Sequence, residues 1–166
     1  MPVESFDHAN MLHRAMRGLA ATKAGRVLFR PTAHHLDQLV SKLTGGKRSF
    51  AGIAAGLPTV ILTTTGAKSG KPRTVALLGI PHSDGVAVVA ANYGDARHPG
   101  WYHNLKANAA ATVTLDGDTW DATARLARPG EREEIWARGI DLYPGLTKER
   151  EWAGNRQIET FVLERR

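Results

Sequence analysis

Cysteine is absent from this chain of 166 residues. Its absence excludes disulfide bonds, thiolate nucleophiles and the cysteine-based zinc and iron–sulfur centres. The H-E-x-x-H motif of zinc peptidases and the G-x-S-x-G motif of serine hydrolases are also missing. The adjacent His34 and His35 lack a companion carboxylate motif, so we predict no metal site.

Long apolar stretches are missing as well. No run approaches the ~20 apolar residues that cross a bilayer, and no continuous apolar segment of the kind found in signal peptides follows Met1. We therefore expect a cytoplasmic protein. The hydrophobic fraction of 42%, with four Trp, four Phe and three Tyr, is typical of a globular domain large enough for its own core.

Acidic residues are scarce, and none occurs between His8 and Leu36. The chain has 22 Lys and Arg against 16 Asp and Glu, a net charge of +6, which favours an anionic ligand or partner. Residues 9–28 combine basic side chains with apolar side chains at helical spacing. This predicted helix either packs on its own domain or contacts the anionic inner face of the cell membrane through residues 9–30. Nucleic acid is not expected as a partner, because Phe29 is the only aromatic residue of the basic stretch.

The hydrophobic pattern changes from helical to strand-like along the chain. Helices are predicted over residues 9–28, 34–43, 99–108 and 129–140, and strands over residues 57–65, 74–80, 85–92, 111–115, 119–126 and 158–163. A short helix or loop follows Tyr143, and residues 116–118 form a hairpin turn. The strands do not alternate with helices, so we predict an α+β fold with a closed sheet of about six mainly antiparallel strands. Residues 1–46 form an N-terminal helical segment and residues 47–166 the sheet domain, within one globular unit.

The connection between the first two predicted strands concentrates positive charge. Lys68, Lys71 and Arg73 occur there with Ser69 and two glycines. Glycine lets backbone N–H groups approach an oxyanion, and arginine offers a planar fork for phosphate or carboxylate. The loop lacks the G-x-x-x-x-G-K-[ST] pattern and precedes a strand, which argues against a nucleoside triphosphate site. Composition alone leaves two interpretations, a basic hairpin turn or an anion site.

Two segments carry a family resemblance. LTTTGAKSGKPR, residues 62–73, and HPGWYHNLKAN, residues 98–108, resemble in this order the deazaflavin-dependent nitroreductase family of actinobacteria. The similarity runs from about residue 57 to the C-terminus. It implies a split β-barrel like that of FMN-binding proteins, with coenzyme F420, an 8-hydroxy-5-deazaflavin, as hydride donor. The phosphodiester and glutamate carboxylates of this coenzyme would account for the basic composition.

The resemblance also implies which residues bind the coenzyme. The anionic tail would be held by Lys68, Ser69, Gly70 and Arg73, and the same pocket would be lined by Val75 and Leu77. The ring would lie along the main chain of Ala90, Ala91, Asn92 and Tyr93. The ring and the ribityl chain would also lie near His98, Trp101 and Asn104. Trp101 and Tyr102 are also interpretable as core anchors, Tyr102 more readily. His98 and Asn104 are alternatively polar residues of a helix start and surface, and Lys106 is interpreted as a helix-end cation.

The coenzyme would carry the hydride chemistry, so no dedicated catalytic residue is predicted. Tyr143 and Trp152 are candidates for the substrate wall, with core packing as the alternative. Family members that activate nitroimidazoles have further tyrosines after this point, where this chain has Leu146 and, later, Glu149. We therefore expect an electrophilic apolar acceptor, a quinone or an activated alkene, rather than a nitroimidazole.

Two other functions remain open at this stage. One is an FMN- or haem-binding protein on the same barrel, and the other is a basic membrane-surface module without catalysis. The sequence is compatible with a monomer or a homodimer.

Overall fold

The computed structural model describes residues 10–20, 22, 56–83 and 85–166, which form a curled antiparallel sheet with helices around it. The strands of this sheet are β1 (Thr59–Thr65), β2 (Pro72–Leu78), β3 (Ile80–His82), β4 (Gly85–Val89), β5 (Ala110–Leu115), β6 (Asp118–Leu126) and β7 (Thr160–Arg165). Their order in the sheet is β2-β1-β5-β6-β7-β4-β3. The helices are α1 (Met11–Ala20), α2 (Gly100–Ala107), α3 (Pro129–Leu142) and α4 (Gly145–Trp152).

The two outer strands of the sheet, β2 and β3, are separated in the chain by Gly79 alone. A Cβ atom on Gly79 would lie 2.6 Å from Val60 Cγ2 and 3.2 Å from Val86 Cγ2, so only glycine fits where the chain passes between β1 and β4. This passage brings the two edges of the sheet together and curls it into a barrel. The prediction of one strand over residues 74–80 is therefore wrong, and the described residues contain seven strands rather than about six.

The core follows from the alternation of side chains along the strands. Val60 and Leu62 of β1 point into the barrel and are fully buried. Three consecutive residues of β4, Val86, Ala87 and Val88, have no exposed surface, so this strand is covered on both faces. Val86 and Val88 pack in the main core, whereas Ala87 packs in the cluster that contains Ile135 of α3. The α+β class and the antiparallel pairing are thus confirmed.

The ends of several elements differ from the predicted ones. Helix α2 lies within the predicted range, α3 runs two residues further, and the segment after Tyr143 is helical rather than a loop. Strand β4 ends at Val89 instead of residue 92, because Ala91 adopts helical backbone angles and Asn92 and Tyr93 adopt left-handed ones. The predicted hairpin is confirmed, with positive φ at Asp116 and Gly117.

The N-terminal helix is attached to the barrel by a buried arginine. Arg17 is 1% exposed, and its guanidinium donates hydrogen bonds to the carbonyl oxygens of Gly56 (2.8 Å) and Leu142 (3.2 Å). Burial of a charged group requires such partners, so packing of α1 on its own domain is supported. The predicted helix over residues 34–43, the domain boundary at residues 46 and 47, and the end of the first predicted helix lie outside the described residues.

Candidate functional site

The loop between β1 and β2 is a compact turn closed by backbone hydrogen bonds. Gly66 N donates to Lys71 O at 2.9 Å, and Gly70 N donates to Gly66 O at 2.8 Å. Gly70 has a φ of 65°, and a Cβ on Gly66 would lie 2.6 Å from Ser69 Oγ. Both positions therefore require glycine for this loop shape.

The cationic side chains of this loop project into solvent. Lys68, Lys71 and Arg73 are exposed. In the part of the chain that the structure describes, none of the three forms an ion pair. The sequence has no acidic residue from Leu57 to Ser83. The loop thus presents uncompensated positive charge, which suits a ligand with several negative charges.

Asn104 of α2 joins the two sequence segments that carry the resemblance. Its Oδ1 accepts a hydrogen bond from Ala67 N, and its Nδ2 donates to Thr64 Oγ1, both at 2.9 Å. The Thr64 hydroxyl in turn donates to Arg73 O at 3.3 Å. Because both ends of the Asn104 amide are used, this residue fixes the loop against the helix rather than standing on the helix surface. Sequence reasoning did not identify the part that Thr64 plays.

Arg73, Val75 and Leu77 share the inner face of the barrel. They pair with Thr64, Leu62 and Val60 respectively, and directly opposed residues of an antiparallel pair point to the same side. Val75 and Leu77 are half-buried and pack against the main core cluster, to which Ala90 and Trp101 also belong. The loop cations are therefore followed along β2 by an apolar wall.

The two aromatic residues at the start of α2 differ in how deeply they are buried. Trp101 is only 7% exposed and packs edge-on against Phe161, with ring centroids 6.0 Å apart. Tyr102 is half-buried and stacks on the His98 ring at 4.0 Å. The structure thus places Trp101 deeper than Tyr102. A coenzyme contact of Trp101 stays a prediction, limited to the small part of the ring that is exposed.

The chain turns sharply after β4. Ala91 has helical angles (φ −68°, ψ −35°), whereas Asn92, Tyr93 and Gly94 have φ values of 52°, 54° and 68°. Left-handed angles at non-glycine residues cost on the order of 1 kcal/mol each and often mark functional sites. A right-handed residue followed by a left-handed one also directs successive N–H groups into one concavity that accepts anionic or partly negative atoms.

Arg156 holds this turn and was not identified from the sequence. Its Nη1 donates to Ala90 O at 2.8 Å, its Nη2 to Ala91 O at 2.6 Å and its Nε to Asp95 O at 2.8 Å. Its Nη1 also lies 3.4 Å from His98 Nδ1. Burial lowers the pKa of Arg156, and the nearby Asp95 and Glu149 carboxylates oppose this shift. No local motif surrounds Arg156, so its partners 58 to 66 residues away could not be inferred from spacing.

His98 lies beside this arginine with a perturbed titration. Burial is the largest cause that lowers the pKa of His98, followed by the charge of Arg156. The lowered pKa favours the neutral imidazole, whose Nδ1 can accept the hydrogen bond from Arg156. Arg97, His98, His103 and Arg156 line an open cleft of about 720 Å³ next to the turn.

The two predicted substrate residues lie on the other side of the turn. The Tyr143 hydroxyl lies near the Glu149 carboxylate, and burial, then the Glu149 charge and Tyr93, raise the pKa of Tyr143 above its ordinary value. Glu149 itself is only 7% exposed. A Cβ on Gly94 would lie 2.6 Å from Trp152 Cβ, so α4 packs directly against the turn.

The predicted residues thus fall into two groups that meet at one point. The cationic loop, the apolar wall of β2 and Ala90 belong to the main core side. Ala91 packs in a second cluster, against which Tyr143 also packs. The neighbours Ala90 and Ala91 connect the two sides, which places the end of β4 between the candidate coenzyme and acceptor surfaces.

Comparison with known proteins agrees with this geometry. An F420H(2)-dependent quinone reductase of Mycobacterium tuberculosis (strain H37Rv) is 42% identical over 81 residues, which are 48% of this chain and 54% of that protein. This chain spans about half the length of that relative. A solved F420-H2 dependent reductase, FDR-A, is 39% identical with a TM-score of 0.59, over 64% of this chain and 94% of its own.

A second solved structure, described as a domain-swapped dimer, is 32% identical with a TM-score of 0.62 and covers 81% of this chain and 99% of its own. The predicted split β-barrel fold is confirmed by these likenesses. The F420H(2)-dependent quinone reductase family model matches residues 37–165, which is most of the chain. This match agrees with the barrel fold and with the hydrogen bonds that join the cationic loop to helix α2. The chain belongs to the F420H(2)-dependent quinone reductase family.

Proposed function

We propose that this protein is an oxidoreductase that transfers a hydride from reduced coenzyme F420 to a quinone. The observation that carries this proposal is the hydrogen bonding of Asn104 to Thr64 and to Ala67 N, which fixes the cationic loop at the mouth of the barrel. Membership of the family supports the same coenzyme.

The residues present fit this coenzyme. Lys68, Ser69, Gly70 and Arg73 would hold its phosphodiester and carboxylates, since the described structure leaves these cations without ion pairs. The coenzyme supplies the hydride from its ring. The protein supplies position, through the loop and the main chain of residues 90–93, and exclusion of water, through the apolar wall of β2.

Charge distinguishes this coenzyme from FMN. FMN ends in a single phosphate monoester, whereas the F420 tail carries a phosphodiester and additional carboxylates. A loop in which Lys68, Lys71 and Arg73 are exposed and form no ion pair with any described residue matches the longer anionic tail better. We therefore favour F420 over FMN and haem.

The surface beyond the turn supports a flat apolar acceptor. Tyr143 borders a cluster made of Ala91, Trp136, Leu146, Ala153 and Ile158. Leu146 and Glu149 are both buried, so neither replaces the aromatic surface that nitroimidazole-activating members offer. We infer that a quinone, with two carbonyl oxygens on a planar ring, packs on the half-buried ring of Tyr143, and an activated alkene is the second candidate.

The function is tested with the purified protein and both coenzymes. We expect micromolar quenching of F420 fluorescence and much weaker binding of FMN. Oxidation of reduced F420, followed by its absorbance, should be fast with menadione, slower with cyclohexenone and a nitroimidazole, and negligible without an acceptor. Absence of quenching, equal binding of FMN, or menadione oxidation at the rate of the acceptor-free control would contradict the proposal.

Tyr143→Phe tests the acceptor side separately from the coenzyme side. This change removes the hydroxyl and keeps the aromatic ring. We expect the KM for menadione to rise about five- to tenfold, the effect of losing one hydrogen bond of ~1 kcal/mol from the Tyr143 hydroxyl to a quinone oxygen. The Kd of F420 should stay within about twofold, because Tyr143 lies outside the loop. Equal changes in both constants would place Tyr143 in the coenzyme pocket or in the core.

The outward face of α1 is the candidate membrane contact. Met11 is 87% and Leu12 71% exposed, and Leu19 and Arg14 are exposed on the same helix. Apolar side chains beside cations favour anionic lipid surfaces. Among the described residues, no helix has the length and hydrophobicity needed to cross a bilayer. We propose a peripheral contact with the inner face of the membrane.

Co-sedimentation with phosphatidylglycerol vesicles tests this contact. Replacing Met11 and Leu12 by serine should abolish it, whereas Leu126→Ser, which changes an exposed apolar residue of β6, should not. A wild-type protein that does not sediment would refute the contact.

We also propose that the protein is a monomer or a homodimer, and light scattering distinguishes the two.

A further inference from the structure

We propose that Arg156 is a positioning residue that acts through the peptide groups at the end of β4, so that their N–H groups favour the anionic form of the bound coenzyme ring. The inference rests on the proposed use of F420. It concerns the charge state of the ring, which the proposed activity does not specify.

The hydrogen bonds of Arg156 define which peptide groups it affects. The carbonyl of Ala90 and the N–H of Ala91 belong to one peptide group, and the carbonyl of Ala91 and the N–H of Asn92 belong to the next. Arg156 donates to both carbonyl oxygens, at 2.8 and 2.6 Å. A hydrogen bond from a cation to a peptide oxygen polarises the whole group, so the N–H on its other side becomes a stronger donor.

The backbone angles of this segment direct the N–H groups of Ala91 and Asn92 toward one another's side of the turn. Ala91 is right-handed and Asn92 left-handed, the succession that turns neighbouring N–H groups into one concavity. Arg156 also bonds Asp95 O at 2.8 Å, beyond the turn, so one guanidinium spans both ends of the strained segment. The strain at Asn92 and Tyr93 is thereby held in place by hydrogen bonds to a charged group.

The ring of this coenzyme can respond to such donors. Its 8-hydroxyl group is conjugated with the ring carbonyls, so loss of the proton spreads negative charge onto oxygen atoms that accept hydrogen bonds. Donors that are strengthened by a cation favour this anion over the neutral ring. Absorbance distinguishes the two forms, which gives a readout independent of turnover.

The charges around Arg156 predict the sign of two substitutions. Removing the cation, as in Arg156→Gln, weakens the donors. Removing the nearby anion, as in Asp95→Asn, has the opposite effect, because the Asp95 carboxylate acts against Arg156 through space. In the wild type, Arg97 N donates a hydrogen bond of 2.9 Å to Asp95 Oδ1, and the asparagine keeps an oxygen that can accept it.

Other titratable groups surround the same place. Glu149 also acts on Arg156, and His98 is influenced by His103 and Glu159 in addition to Arg156. Because removal of Arg156 would let His98 protonate more easily, each comparison is repeated in a His98→Gln background. Arg97, whose Nε lies 3.7 Å from Asp95 Oδ1, and Glu149 are present in every variant, so the differences between variants report the charges of Arg156 and Asp95.

The experiment is a pH titration of the absorbance of oxidised F420 bound to excess protein. Relative to wild type, Arg156→Gln should raise the midpoint of the bound ring and Asp95→Asn should lower it, each by about 0.5 to 1 unit, a three- to tenfold change in the anion-to-neutral ratio. Arg156→Lys, which keeps the charge, should lie between wild type and Arg156→Gln. Arg138→Gln is the matched control, since Arg138 donates to the carbonyl oxygen of Pro81 on another part of the barrel.

Two results would overturn the inference while leaving the proposed function intact. One is coenzyme binding with unchanged midpoints in all variants, and the other is a shift of Arg156→Gln and Asp95→Asn in the same direction, as a packing defect would cause. If Arg156→Gln does not fold, an unshifted Asp95→Asn overturns the inference by itself. Wild-type protein that neither quenches nor shifts F420 overturns the proposed function as well.

Discussion

Replacement of both Lys68 and Arg73 by alanine is expected to weaken F420 binding about 100-fold at low ionic strength. A hydrogen bond to a charged group contributes roughly 1.5 kcal/mol or more, which is about tenfold in Kd for each residue. Both side chains are exposed, so salt screens the wild-type contacts. The difference between wild type and variant should therefore narrow as salt is added. Fluorescence titrations at two salt concentrations measure both effects.

The matched control is Lys106→Ala, which removes an exposed cation from the last turn of α2. We expect it to change the Kd by no more than about twofold, because a single exposed charge acts weakly at a distance. Asn104→Ala tests the same loop from behind, since it removes the side chain that bonds Ala67 N. An effect of the Lys68 and Arg73 double substitution no larger than that of Lys106→Ala would exclude the loop as the tail site.

Glu131→Gln is expected to lower the free energy of unfolding by about 3 kcal/mol, as does removal of one partner from a largely buried ion pair. The Glu131 carboxylate accepts bonds from Arg125 (2.6 and 2.7 Å), His82 (2.8 Å) and Arg128 N (2.9 Å). It therefore ties β3, β6 and the start of α3 together. For a protein of this size the loss corresponds to a Tm lower by about 6–12 °C.

The same carboxylate predicts how stability depends on pH. The side-chain hydrogen bonds from Arg125, followed by the backbone bond from Arg128, hold the pKa of Glu131 far below its ordinary value of 4.5. A lowered pKa in the folded state stabilises the protein fully above the unfolded value and progressively less as pH falls below it. Wild type should thus lose stability faster than Glu131→Gln below pH 4.5, and the two curves should run parallel at neutral pH.

Glu164→Gln is the control for this site. Glu164 also pairs with Arg125, at 2.7 Å, but its side chain is 52% exposed, so we expect a loss below about 1 kcal/mol. Urea unfolding of the three proteins at pH 7 and at pH 3.5 provides all the comparisons. A Glu164→Gln variant at least as unstable as Glu131→Gln would contradict the role assigned to Glu131.

Local patterns predicted most of the sheet because neighbouring strands are joined by short turns. The hairpin at Asp116 and Gly117, for example, is encoded by the residues of the turn itself. The division at Gly79 was missed, because the residues before and after it read as one apolar run. This division depends on the close contact of Gly79 with Val60, which is distant in the chain, and with Val86, which belongs to the next hairpin.

The candidate site shows the same contrast. The loop cations are visible in the sequence because exposed charge needs no tertiary partner to be recognised. The position of Arg156 was not predictable, since its carbonyl partners are backbone atoms that every residue possesses. Its effect arises only in the folded protein, where α4 and β7, on either side of Arg156 in the chain, place it beside residues 90–95. The packing of Trp101 and Tyr102 likewise depends on the tertiary structure, because both rings contact Phe161 of the last strand edge-on.

Strands β2 and β3 are the two outer strands of the sheet, and their edges affect the solubility of the folded protein. Exposed strand edges invite pairing with another chain, and proteins protect them with short strands, proline and positive charge. Here β3 has three residues and contains Pro81, while β2 begins at Pro72 between Lys71 and Arg73. The cations proposed to bind the ligand thus also protect a sheet edge against aggregation, so we expect a change that neutralises them to reduce solubility along with affinity.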